Sequence, residues 1–194
     1  ARMELADLFP GFDAKTVELD DVRLFVRLGG REEAPPLACL HGFPESHVMW
    51  AKVAPALAEH FRLVIADLPG YGWSSVPPVV ADHAEMSKRT TAARIVALMA
   101  ELGHDRFRLL GHDRGARVGY RLALDHPDRL HRLALLDIVP TLAMWRAMEA
   151  GVDLAPHWRR LAEPAPAPET WLGADPDAWL DETLLAWTAS KDPA

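Results

Sequence analysis

The sequence predicts a doubly wound α/β fold, with a mostly parallel sheet and a helical segment after it. Three observations carry this. Short apolar runs alternate with stretches of helical spacing in the order strand, helix, strand, helix, strand, helix, strand, the pattern of parallel strands joined by right-handed crossovers. Gly or Pro punctuates the joints, as in "HGFP" and "LPGYG". After Pro140 no further run of that kind appears, and tryptophan-rich helical pieces take over.

The elements follow in order. "KTVELDDVRLFVRLGG" holds two β-type runs around Asp20 and Asp21 and reads as a hairpin. "PPLACL" is a buried strand that runs into the loop "HGFP". Trp50, Val53, Ala54 and Leu57 have helical spacing. "FRLVIADLPGYGWS" is an apolar strand leading to a Gly-rich turn. From about Glu85 to Leu102 the pattern is helical, with Ile95, Leu98, Met99 and Leu102 on one face and Gly103 as the stop. "RFRLLGHD" is a strand, "RGARVGYRLALDHP" a helix ended near Pro127, and "LHRLALLDIVP" a further strand. Ligands of such sheets bind at the carboxyl ends of the strands, where His41, Asp67, Asp113 and Asp137 fall. Residues 1–140 therefore read as the core and 141–194 as an incomplete helical cap. In that cap "EPAPAPE" is a semi-rigid connector. Trp50, Trp145, Trp171 and Trp179 read as packing, and Trp187 as a core residue in preference to one at the entrance of the cap.

Composition bounds the function. Across 194 residues, 49% are hydrophobic and 25% charged, the balance of an ordinary globular chain. A formal net charge of −7 and a pI near 5.7 argue against nucleic acid as a partner. Cys39 stands alone, so no disulfide forms within the chain, which fits a reducing, cytoplasmic setting. The N-terminal "ARMELADLFPGF" lacks the apolar stretch of a signal peptide. No apolar run is long enough to cross a membrane.

The chemistry centres on Gly111-His112-Asp113-Arg114-Gly115. Two glycines between a strand and a helix permit a sharp turn that lifts the middle side chain clear of the sheet. Asp113 can be a nucleophile there, or it can simply cap the helix. Phe43, in "HGFP", can offer its backbone N–H opposite the elbow and form an oxyanion hole with the N–H of Arg114. His41 reads as a structural loop histidine. Asp137, at the end of the next strand, can orient a catalytic histidine or cap a turn. Arg114 and Arg117 stand three apart in the first turn of a helix, on one face. Either they form a carboxylate site with the helix N-terminus, or they pair with Asp113 or with surface acids.

These stretches, with "LADLFPGF", "LHGFPESHVMW", "VIADLPGYGWS", "GHDRGARVGYRLALD", "LALLDIVP", the "HW" pair and "PAPAPE…LGADPD", resemble the α/β-hydrolase superfamily and, within it, the fluoroacetate (haloacetate) dehalogenases. The resemblance implies an α/β-hydrolase fold in which Asp113 attacks a halogen-bearing carbon. It also implies that Arg114 and Arg117 hold the substrate carboxylate, and that His157 and Trp158 donate to the departing halide. It implies neither a metal nor an organic cofactor; the partners are a small haloacetate and water, and homodimers follow by analogy. An aspartate suits such chemistry: substitution at saturated carbon leaves an ester, which water can cleave, whereas serine would leave an ether. Related haloalkane dehalogenases and epoxide hydrolases usually carry Trp after the nucleophile, where this chain has Arg114. The family's third halide donor, a cap tyrosine, has no match, since the two tyrosines are Tyr71 and Tyr120.

The family's catalytic histidine follows two more core strands. None of the nine histidines lies in that context, so the chain is expected to be the N-terminal part of the enzyme and not to turn over alone. Two alternatives stand beside it: another Asp-nucleophile hydrolase such as an epoxide hydrolase, and a non-catalytic fragment or binding protein.

Overall fold

The computed structural model describes residues 7–80, 83–152 and 155–188. Two compact units divide the chain, Ala1–Ile138 and Val139–Ala194. In the first, six strands form one sheet: β1 (Asp13–Glu18), β2 (Arg23–Gly29), β3 (Pro36–Leu40), β4 (Arg62–Ala66), β5 (Phe107–His112) and β6 (Leu130–Leu136), in the spatial order β1-β2-β4-β3-β5-β6. β1 pairs antiparallel with β2, and β2 with β4; the pairs β3–β4, β3–β5 and β5–β6 are parallel. This mostly parallel sheet is the one expected from the strand–helix alternation, and it agrees with the α/β-hydrolase fold that the resemblance implies.

Side-chain alternation gives the central strands two buried faces. Leu37, Cys39, Leu63 and Ile65 pack with Phe9, Trp50 and Ala54 on one side. Ala38, Leu40, Val64 and Ala66 pack with Ile95, Leu98, Met99, Val118 and Leu122 on the other. Each fully buried Leu or Ile contributes about 1.5–3 kcal/mol. Among the described residues β6 pairs with β5 alone, and its Leu135 and Leu136 are exposed, unlike the apolar residues of β3 and β4.

Three helices connect these strands. The helical spacing from Trp50 to Leu57 becomes a 3-10 turn, His47–Trp50, followed by the short α1 (Ala54–Ala58). Pro55 explains the break. It has no N–H to donate to Ala51, so it is tolerated only in a first turn. α2 (Lys88–Glu101) starts later than Glu85 because Ser87 caps it, its hydroxyl accepting from the N–H of Thr90 at 3.1 Å, while Ala84–Met86 forms a separate 3-10 turn. α3 is Asp113–Asp125.

The second unit holds α4 (Thr141–Glu149), α5 (Pro156–Leu161), α6 (Ala167–Gly173) and α7 (Pro176–Trp187). The expected connector "EPAPAPE" is in part helical: α6 begins inside it, with Pro168 in the first turn where a missing N–H costs nothing. Trp145 packs its ring against Trp158 at 5.6 Å and Trp171 against Trp179 at 5.7 Å. Trp187 is not a core residue; it is 53% exposed and lies ring to ring with His157 at 5.3 Å.

Asp67, the first residue past β4, locks the loops at the strand ends. Its buried carboxylate accepts from the backbone N–H of His47 at 2.6 Å, the His47 ring at 3.0 Å and the N–H of Trp73 at 2.9 Å. Burial alone would raise its pKa, but the His47 ring and the two N–H donors overcome this and hold it below its ordinary value. A depressed folded pKa means stabilisation that is present above about pH 4 and lost as pH falls below it. Asp67→Asn is accordingly expected to cost about 3 kcal/mol at pH 7, with the gap to wild type closing in acid. Thermal melts between neutral and acid pH check this, and a gap independent of pH would contradict it.

Candidate active site

Four strand ends build the site. His41, Asp67, Asp113 and Asp137 are each the first residue after β3, β4, β5 and β6 respectively. β5 passes into α3 with no loop, and Asp113 takes up the turn with φ +42°. Such a left-handed conformation in a non-glycine residue costs on the order of 1–3 kcal/mol and persists where the surroundings enforce it. Gly115 is part of that enforcement. Its N–H donates to the carbonyl of His41 at 2.9 Å, and a Cβ there would lie 2.4 Å from the Leu40 carbonyl oxygen. Only glycine lets α3 approach β3 so closely.

The raised Asp113 carboxylate accepts from the N–H of Phe43 at 3.0 Å. The nucleophile candidate and one of the two expected oxyanion donors are therefore in direct contact. The Phe43–Pro44 bond is cis. Gly42 has no room for a side chain either, since its Cβ would meet Asp113 Cβ and Glu45 Oε2, each at 2.8 Å. The Arg114 guanidinium lies 6.0 Å from the Phe43 ring centre and 5.8 Å from that of Tyr71, a range in which cation–π attraction holds a guanidinium in place. Arg117, one turn on, is buried. Burial lowers its pKa, Asp113 and Tyr120 work against that, and Arg114 adds to the lowering.

His112 links three loops. Its Nδ1 lies 2.9 Å from Glu45 Oε2, and its Nε2 lies 3.9 Å from Asp137 Oδ2. The Glu45 hydrogen bond raises the pKa of His112 against the opposing effect of burial. Burial would raise the pKa of Glu45, but His112 and the Gly42 N–H more than offset it. The same Glu45 oxygen accepts from the Gly42 N–H at 2.9 Å. Glu45 thus ties the loop after β3 to the residue before Asp113. Sequence reasoning missed it, although a carboxylate three residues after Gly42 is a signal for a side chain folding back over a tight turn.

Asp137 sits at φ +55° with its side chain 89% exposed. His41 is structural. Its Nε2 accepts from the N–H of Leu68 at 2.9 Å, and its Nδ1 is 2.8 Å from the Gly42 carbonyl. That pattern assigns the neutral Nδ1–H tautomer, and burial lowers its pKa. His157 and Trp158 are consecutive on α5, in the second unit, with rings against Trp187 and Trp145. Among the described residues no three His, Cys, Asp or Glu side chains form a metal site, and no helix is long and apolar enough to cross a membrane.

A family model described as the alpha/beta hydrolase fold matches residues 35–190. A fluoroacetate dehalogenase from a Burkholderia species is 47% identical over 94% of this chain and 60% of its own length. A structure from Nostoc, provisionally named an alpha/beta hydrolase, superposes with TM-score 0.87 at 44% identity, over 92% of this chain and 61% of that one. Another, from Pseudomonas aeruginosa and provisionally named an epoxide hydrolase, gives 0.85 at 44% identity, over 93% and 60%. The chain thus spans about 60% of the length of each relative.

Proposed function

The chain belongs to the α/β-hydrolase family, and on that basis we propose that it carries the nucleophilic machinery of a haloacetate dehalogenase. An Asp113 oxygen attacks the carbon bearing halogen, the C–O bond forms as the C–X bond breaks, and halide leaves with the bonding pair. Water then adds to the carbonyl of the Asp113 ester. The oxyanion develops on an Asp113 oxygen, and the N–H groups of Phe43 and Arg114 receive it. Collapse releases glycolate and restores the carboxylate, with the water's other proton passing to a base that Asp137 orients. Arg114 and Arg117 hold the substrate carboxylate and offset the repulsion between two anions. His157 and Trp158 donate N–H bonds to the departing halide. A cytoplasmic setting and a homodimer complete the proposal by analogy.

The observation that supports this most is the Asp113 carboxylate, raised on a strained turn and already in contact with the Phe43 N–H at 3.0 Å. An aspartate in that place serves displacement at saturated carbon followed by ester hydrolysis. The provisional name of the Pseudomonas neighbour favours a second reading, epoxide opening, which uses the same nucleophile but has no need of paired arginines. Intact-mass analysis and peptide mapping of the full chain after exposure to bromoacetate separate them. One carboxymethyl ester on Asp113, with one bromide released, is expected. An adduct formed with a simple epoxide and none with bromoacetate transfers the assignment to the epoxide reading. No adduct with either makes the chain a binding protein. Cys39 does not compete, because burial pushes its thiol up to about 12.

A further inference from the structure

Arg114 differs from other arginines of the first unit in what surrounds it. Arg94 pairs with Asp21, Arg121 with Asp125 and Arg129 with Asp105. Among the described residues Arg114 has no such carboxylate partner; its guanidinium lies over two rings, Phe43 at 6.0 Å and Tyr71 at 5.8 Å. We propose that Tyr71 is a positioning residue, whose ring, with that of Phe43, sets the Arg114 guanidinium in place while leaving its N–H donors to a planar anion. This rests on the dehalogenase reading and names the group that presets its carboxylate site.

Both rings are fixed relative to Asp113. The Tyr71 N–H donates to the Leu68 carbonyl and its own carbonyl accepts from the Ser74 N–H, each at 3.0 Å. Its ring packs against the core and meets the buried His41 ring edge to face at 5.2 Å. His41 also accepts the Leu68 N–H at 2.9 Å, so one histidine holds both ends of the turn that carries Tyr71. Phe43 is held by the bond from its N–H to Asp113. A ring face attracts a cation through its quadrupole and takes up none of its strong hydrogen bonds; a carboxylate partner would occupy two of them. Burial raises the pKa of the Tyr71 hydroxyl, Arg114 opposes this and Asp113 adds to it, with a net rise. Tyr71 therefore meets Arg114 as a neutral ring and not as a phenolate. A guanidinium already in place loses less rotamer freedom when an anion binds, a gain that a neutral substrate does not share.

Alkylation of the full chain by bromoacetate and by its neutral isostere bromoacetamide, each resolved into KI and kinact, tests the proposal. Tyr71→Phe keeps an electron-rich ring face and should hold the KI for bromoacetate within about twofold of wild type. Pentafluorophenylalanine at the same position fills nearly the same space but reverses the charge of the ring face, and Tyr71→Leu removes the ring. Each should raise that KI about fivefold, while kinact and the KI for bromoacetamide move by less than about twofold. A fluorinated protein with the wild-type KI for bromoacetate sinks this inference. So does an equal rise for both reagents, which makes Tyr71 a packing residue only; either result leaves the dehalogenase reading intact. If Tyr71→Leu does not fold, the comparison of Phe with pentafluorophenylalanine decides alone. If the wild type gains no adduct on Asp113, that reading falls and this inference with it.

Discussion

Asp113→Asn is expected to lower alkylation by bromoacetate at least roughly a thousandfold while leaving the fold intact. The two side chains have one shape, and an amide oxygen still accepts the Phe43 N–H that reaches Asp113 Oδ1 at 3.0 Å. What disappears is the negative charge and with it the nucleophile. On the dehalogenase reading the loss should fall on kinact, because that reading has Arg114 and Arg117 bind the carboxylate. The thermal midpoint should stay within about 3 °C of wild type, the shift that roughly 1 kcal/mol produces in a protein of this size. Calorimetry and intact-mass kinetics on one preparation measure both. A variant still labelled at residue 113 at the wild-type rate would remove Asp113 from the mechanism.

Gly115→Ala should destabilise the first unit by roughly 3 kcal/mol, lowering its thermal midpoint by roughly 10 °C. The added methyl group meets the Leu40 carbonyl oxygen at 2.4 Å and the Leu40 carbonyl carbon and Cβ at 2.6 Å, so most of the collision is with backbone that cannot rotate aside. α3 must shift off β3, and the Gly115 N–H bond to the His41 carbonyl stretches with it. The same change at Gly173, where nothing lies within 4 Å of the added carbon, should be neutral within about 0.5 kcal/mol. Equal melting of the two variants would refute the steric account.

The residues that turned out to be legible in sequence are those whose signal is local. Apolar runs ending in Gly or Asp located all six strands, and Gly111 and Gly115 marked the elbow because their spacing reports a close approach within one turn. Arg114 and Arg117 share a face by helical spacing alone. The contact between Glu45 and His112 was not legible, since the two are 67 residues apart and it depends on how two loops converge. Prolines misled twice, in opposite directions. Pro55 cut short an expected helix, and Pro168 opened one where a connector was expected. Trp187 was read as a core residue, but ring stacking on an exposed helix also accommodates an indole.

The placement of His41, Asp67, Asp113 and Asp137 directly past four strands makes reactivity a matter of counting. One residue inserted in β5 turns every later side chain of that strand to the opposite face and offers a histidine at the apex where the carboxylate stood. At the other end of the sheet, an insertion between Gly103 and Arg106 changes only a surface connection. A library of indels would therefore divide this half of the molecule sharply: length is free where chains enter the sheet and forbidden where they leave it.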